Sequence, residues 1–167
     1  MAELTSAPNV LSRGLMVVTA AKQYAARTAT APYVYGGKSD KGYDCSWFVY
    51  VALHSVFPEY EYLSSAAIAT SPLFEEVSSP EPGDVIYFPP GANPYQVKRH
   101  NDNTIYPGHV AIIVDKDMFI GKQSLSVGMI PVNQVWWGSR VHRYFRYRGL
   151  KTADQAMLVH LSSNGRG

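Results

Sequence analysis

Between Ser12 and Arg27 the apolar residues Leu15, Val18 and Ala25, continuing from Leu11, return at helical spacing with Lys22, Gln23 and Arg27 between them. That period predicts an amphipathic helix opened by Ser12. Pro32 and the pair Gly36-Gly37 break it, so residues 31–43 read as an extended, turning segment. From Asp44 the pattern changes again. Cys45-Ser46-Trp47-Phe48-Val49-Tyr50-Val51-Ala52-Leu53-His54 is almost continuously apolar, begins after a good N-cap residue and stops before Pro58. It predicts a buried helix with Cys45 in its first turn. After a polar, proline-punctuated stretch over 64–82, short apolar runs at 84–88, 109–114 and 118–120 predict strands, with Asp115-Lys116-Asp117 as the turn joining the last two. Segments 129–132 and 141–147, rich in β-branched and aromatic residues, complete an antiparallel sheet. Helices come first and strands second, which predicts an α+β class rather than an alternating parallel fold.

Composition narrows the function classes. The chain has 167 residues, 46% hydrophobic and 17% charged, enough for one domain with its own core. Residues 1–167 are read as that single domain, with a core over about 12–150 and a peripheral tail, 151–167, whose Ser-, Asn- and Gly-rich end frays. A net charge of +2 lacks the concentrated basic excess of a nucleic-acid binder. No window approaches the roughly 20 apolar residues of a membrane span. The first eight residues lack the basic start and apolar run of a secretory signal, so the expectation is synthesis in the cytoplasm without a signal peptide.

Cys45 is the lone cysteine, which excludes an internal disulfide and a multi-cysteine zinc site; no metal and no cofactor is expected. At a helix N-terminus its thiol meets partial positive charge and free N–H groups, which predicts a pKa below the usual value of about 8.5 and a nucleophilic thiolate. Free cysteines are also among the most buried residue types and often only pack. A catalytic thiol needs a base brought near in space. His109 follows Pro107-Gly108 and opens a core strand, while His54 lies more than two turns along the Cys45 helix. His100, His142 and His160 read as surface or packing histidines.

Four motifs in series, Pro32-Tyr33-Val34-Tyr35-Gly36-Gly37, Tyr43-Asp44-Cys45-Ser46, Pro82-Gly83-Asp84-Val85-Ile86-Tyr87-Phe88 and Gly108-His109-Val110-Ala111-Ile112-Ile113-Val114, resemble the core of the NlpC/P60 cysteine peptidases. The resemblance implies a papain-like α+β core and hydrolysis of an amide bond in the peptidoglycan stem peptide, with the γ-D-glutamyl to diamino acid bond as the expected target. It implies Cys45 as nucleophile, His109 as base and N–H groups at the start of the Cys45 helix as the oxyanion site. Tyr33, Asp44 and Ser46 would line the substrate cleft, Asp44 facing a free amine while also capping its helix. Gly36 and Gly37 would let the backbone approach the cleft, and Asp84 reads as structural.

Two departures stand out. Trp47 replaces the small residue expected after Asp-Cys-Ser. The group that orients the base is expected about twelve residues after His109, at Gly121, which has no side chain; Gln123, two further on and on the same strand face, is the expected substitute. Residues 119–124, 136–138 and 146–148 resemble phage-associated and type VI secretion amidase variants, which implies delivery to the wall or periplasm by a secretion machine or phage lysis, and an immunity protein as partner. Residues 89–107, with Lys98, Arg99 and His100, read either as a cleft flap or as a solvated insertion. The basic cluster Arg140, Arg143, Arg146, Arg148 and Lys151 reads as a solvated sheet face in preference to a surface for anionic wall polymer or an acidic inhibitor. Rival functions are a thiol hydrolase or acyltransferase on another amide or ester, and a non-catalytic wall-binding module.

Overall fold

A computed structural model describes residues 12–150. The terminal segments, which hold the expected fraying tail, His160 and Lys151, lie outside them. The order is α1 (Ser12–Arg27), β1 (Lys38–Ser39), β2 (Gly42–Tyr43), α2 (Cys45–Val56), α3 (Ser65–Thr70), β3 (Phe74–Val77), β4 (Val85–Phe88), β5 (Gly91–Ala92), α4 (Pro94–His100), β6 (Ile105–Tyr106), β7 (His109–Ile113), β8 (Met118–Lys122), β9 (Val127–Pro131), α5 (Val135–Gly138) and β10 (Arg143–Tyr147). The expected α+β class is therefore observed. Six strands form one antiparallel sheet in the order β3-β10-β4-β7-β8-β9.

Alternation along the strands divides the core in two. On one face Val85, Tyr87, Val110, Ile112, Ile120, Phe145 and Tyr147 meet α1 and α2 through Val17, Ala21, Phe48, Val49 and Leu53. On the other, Ile86, Phe88, Ala111, Ile113 and Phe119 are covered by Trp137, Ile130, Val132 and Tyr144. Phe48 and Leu53 are fully buried, and each such side chain contributes about 1.5–3 kcal/mol. This explains why α2 is almost uniformly apolar: it lies between α1 and the sheet.

Several elements depart from the sequence reading. The polar stretch after residue 64 contains α3, capped by Ser64, and the edge strand β3. Residues 89–107 are not a plain loop: β5 and β6 pair with each other and frame α4. Asn93 holds this excursion in place. Its side-chain oxygen accepts from the N–H groups of Tyr95 and Gln96, and its amide donates to the Trp136 carbonyl at 2.6 Å. The basic cluster is not a free solvated face either. Arg143 pairs with Glu76 at 2.7 Å, Arg148 with Glu75 at 3.5 Å, and Arg146 makes two bonds to buried Asp84, at 2.9 and 2.8 Å. Arg140 is buried, at 4% exposure. The acids come from strands far away in sequence, so only the folded sheet reveals the pairing.

Candidate active site

Helix α2 begins at Cys45 because Asp44 caps it. Oδ1 of Asp44 accepts from Trp47 N–H at 3.1 Å, and its carbonyl accepts from Phe48 N–H at 3.3 Å. The N–H groups of Cys45 and Ser46 are left without a backbone acceptor among the described residues. Oδ2 of Asp44 accepts from Gly36 N–H at 2.9 Å. Gly36 adopts φ +75°, a left-handed conformation suited to glycine, and this turn brings the Tyr33 segment back against the helix start. Tyr33 pairs with Tyr43 across an isolated bridge, and its hydroxyl donates to Cys45 Sγ over 3.9 Å.

Cys45 is buried, and burial pushes its thiol pKa up. Hydrogen bonds from the Val110 backbone, Tyr33 and Ser46 act the other way without reversing the direction, and the Asp44 charge adds to the rise. The expectation of an acidified thiol is thus corrected. The helix N-terminus is present, but burial of the sulfur away from water penalises its charged form.

Contact with the Val110 backbone places the sulfur one residue from His109. The His109 ring occupies the other sheet face, packed on Trp137 with centroids 4.8 Å apart and on Phe88 at 5.9 Å. Its Nε2 is buried without a partner, and no hydrogen bond joins the ring to Cys45. Burial, assisted by the nearby Arg140 charge, pushes the His109 pKa down from 6.5 to about 3. The ring is therefore neutral at pH 7, as a base must be.

Gln123 follows the last residue of β8 and is buried rather than exposed. Its backbone closes the β8–β9 hairpin by exchanging bonds with Ser126, at 2.8 and 3.4 Å. With its amide nitrogen donating to the carbonyls of Gly121 and Ser126, at 3.1 and 3.3 Å, the amide oxygen lies 3.2 Å from where a Gly121 Cβ would stand. The same Cβ would come within 2.8 Å of the Ala111 Cβ. Gly121 is therefore bare because Ala111 fills the space beside it, and the Gln123 amide covers the position. No hydrogen bond links Gln123 to His109.

Among the described residues, Tyr33, Tyr106, Pro107, Gly108, His109, Gln123, Ser124, Trp136, Trp137 and Arg140 line a cleft of about 210 Å³. Ser46 is buried beside Cys45 rather than in this lining. Trp47 turns away and repacks α1, donating from Nε1 to Tyr24 Oη at 3.0 Å. His54 and His142 are held by carbonyls of Tyr60 and Arg140. Of the 89–107 excursion, Tyr106 and Pro107 reach the cleft. Arg140, Trp136 and Trp137 were not singled out as cleft residues by the sequence; the Trp-Trp-Gly-Ser-Arg string carries no periodic signal. No helix among the described residues is long and apolar enough to cross a membrane, and no cluster of three or more His, Cys, Asp or Glu side chains there could hold a metal.

A family model described as the NlpC/P60 family matches residues 30–146. Among solved structures, the chain is 20% identical to an NlpC/P60 family protein from Bacillus cereus, with a TM-score of 0.58 over 80% of this chain and 40% of that one. It is 23% identical to the NlpC/p60 domain of the peptidoglycan hydrolase SagA, with a TM-score of 0.52 over 78% of this chain and 96% of that domain. A lipoprotein-like NLP/P60 protein from Staphylococcus aureus is 18% identical, with a TM-score of 0.57 over 83% of this chain and 41% of that one. The chain thus spans about two fifths of the Bacillus and Staphylococcus proteins and nearly all of the SagA domain.

Proposed function

Because this chain belongs to the NlpC/P60 family, we propose that it is a cysteine amidase that cuts peptidoglycan stem peptides, residues 12–150 forming the core of one catalytic domain. The observation that carries this reading is the start of α2. A single cysteine sits at a capped helix N-terminus whose first two N–H groups have no backbone acceptor among the described residues, under a tyrosine hydroxyl and one residue's backbone from a neutral histidine.

Cys45 Sγ attacks the carbonyl carbon of the amide as His109 takes the thiol proton. The oxyanion forms beside the N–H groups of Cys45 and Ser46. His109 then gives its proton to the leaving amine, and the C–N bond breaks to leave a thioester. Water, deprotonated by His109, hydrolyses it and restores the thiol. A raised thiol pKa and a lowered imidazole pKa together describe a neutral thiol and a neutral imidazole, so proton transfer accompanies attack. The His109 ring must turn toward the sulfur for this step; such bonds are often long or unformed before substrate binds. Gln123 would orient the ring through its amide oxygen. Tyr33, Asp44 and Ser46 would hold the acyl half of the substrate, with Asp44 facing its free amine.

The bond proposed is the one between γ-D-glutamate and the diamino acid, a D,L-endopeptidase activity. Delivery as an interbacterial toxin, through type VI secretion or phage lysis and with an immunity partner, belongs to the same proposal and rests on sequence resemblance. The test is mass spectrometry of purified peptidoglycan after incubation. A stem fragment with a newly freed diamino acid amine is expected from the wild type and none from Cys45→Ala that remains folded. Intact stems with the wild type refute the proposal and favour a non-catalytic wall-binding module. Intact stems with release from other amides or esters favour the broader thiol hydrolase or acyltransferase reading.

A further inference from the structure

The four arginines from 140 to 148 differ in one respect. Arg143, Arg146 and Arg148 each meet a carboxylate. Arg140, the most deeply buried of them, pairs with no acidic side chain among the described residues. Only its Nη2 is engaged, donating to the carbonyls of Pro89 and Pro107; Nε is buried with no partner. The rings of Phe88, Tyr106, Trp136 and Trp137 surround the guanidinium with centroids 5.7–6.0 Å away. Carbonyls and ring faces offset part of the cost of burying a cation, but no carboxylate among the described residues supplies a full counter-charge. A guanidinium presents a planar fork of donors that matches a carboxylate.

Arg140 lines the same cleft as His109 and Gln123, and its charge is felt by both His109 and Cys45. We propose that Arg140 receives a carboxylate of the substrate, on the amine-leaving half of the scissile bond. This rests on the amidase reading above. The side is set by His109, which hands its proton to the leaving amine: Arg140 lines the cleft with it and its charge reaches the ring, so Arg140 faces that half. A diamino acid such as diaminopimelate brings carboxylates of this kind, so Arg140 makes the site select acidic over amidated stems.

Three synthetic peptides test this: L-alanyl-γ-D-glutamyl-diaminopimelate, the same peptide with the diaminopimelate carboxylates converted to carboxamides, and the same peptide with only the glutamyl α-carboxylate amidated. The wild type is expected to cut the first about tenfold to a hundredfold more efficiently in kcat/KM than the second, the span of a charge-assisted hydrogen-bond pair. The third should resemble the first. Arg140→Gln should level the first two to within about threefold, and Arg140→Lys should keep part of the preference. Because each comparison is a ratio within one variant, any loss of folded protein cancels. Equal rates for the first two peptides with the wild type, or an undiminished preference in Arg140→Gln, overturn the inference; a preference that follows only glutamyl amidation overturns the assignment to the leaving half. Should the wild type cut none of the peptides, the amidase reading itself fails. Calorimetric binding to the full-length Cys45→Ala protein then decides: tenfold tighter binding of the first peptide than the second sustains the carboxylate site, and equal or absent binding overturns it.

Discussion

The buried, uncharged state of His109 makes a quantitative claim about stability against pH. Its pKa falls from 6.5 to about 3 on folding, mainly through burial and secondarily through Arg140. Between those values the unfolded chain binds a proton at this ring and the folded chain does not. Stability from this group is therefore complete above pH 6.5 and is lost as pH falls toward 3, at about 1.4 kcal/mol per pH unit. From pH 6.5 to 4.5 the loss is about 2 to 3 kcal/mol, a large share of a typical domain stability of 5–15 kcal/mol. In His109→Gln the ring is gone while a side chain of similar reach remains. Urea denaturation of both proteins at pH 7, 6, 5 and 4.5 reads the difference directly, since the carboxylates contribute to both curves alike. The gap should narrow by about 2 to 3 kcal/mol on acidification, the wild type losing the more. Parallel curves would show that the ring protonates freely in the folded chain and would refute the neutral-pair reading.

Two further outcomes follow from the cleft. With the Cys45 thiol pKa raised by burial, iodoacetamide labelling followed by mass spectrometry should be slow at pH 7 and climb about tenfold per pH unit through pH 9; fast labelling independent of pH from 5 to 8 would instead reveal a standing thiolate–imidazolium pair. Gly121→Ala places a methyl group 2.8 Å from the Ala111 Cβ and 3.2 Å from the Gln123 amide, so it should cost roughly 1–3 kcal/mol by thermal or urea unfolding. A neutral result would mean that β7 and β8 separate more easily than their packing implies.

Much of the fold was legible in the chain because its largest elements carry their own local signals. The 3.6-residue period marks α1, the Asp44 cap and apolar run mark α2, and β7 and β8 appear as apolar runs around an Asp-Lys-Asp turn. What stayed hidden depends on distant partners. The six-residue α3 and four-residue β3 and α5 are too short to show a period and are held by neighbouring elements. The motifs singled out Cys45 and His109, yet their electrostatics could not be read there. Desolvation depends on what covers a group, and the covers come from Tyr33 on one side and from Trp137 and Arg140 on the other. The four arginines illustrate the same limit: one sequence cluster supplies three arginines held in ion pairs and one buried cation without one among the described residues.

The excursion between β4 and β7 is fastened at its roots. Arg140 grips the carbonyls of Pro89 and Pro107, the residues at either end, and the strands beneath keep the register Tyr87 to Val110 and Phe88 to His109. A segment clamped in this way enters and leaves at fixed points, so the path of the chain between them does not by itself set where His109 stands. One guanidinium thus ties both ends of the excursion to the turn that follows α5, beside the strand that carries His109.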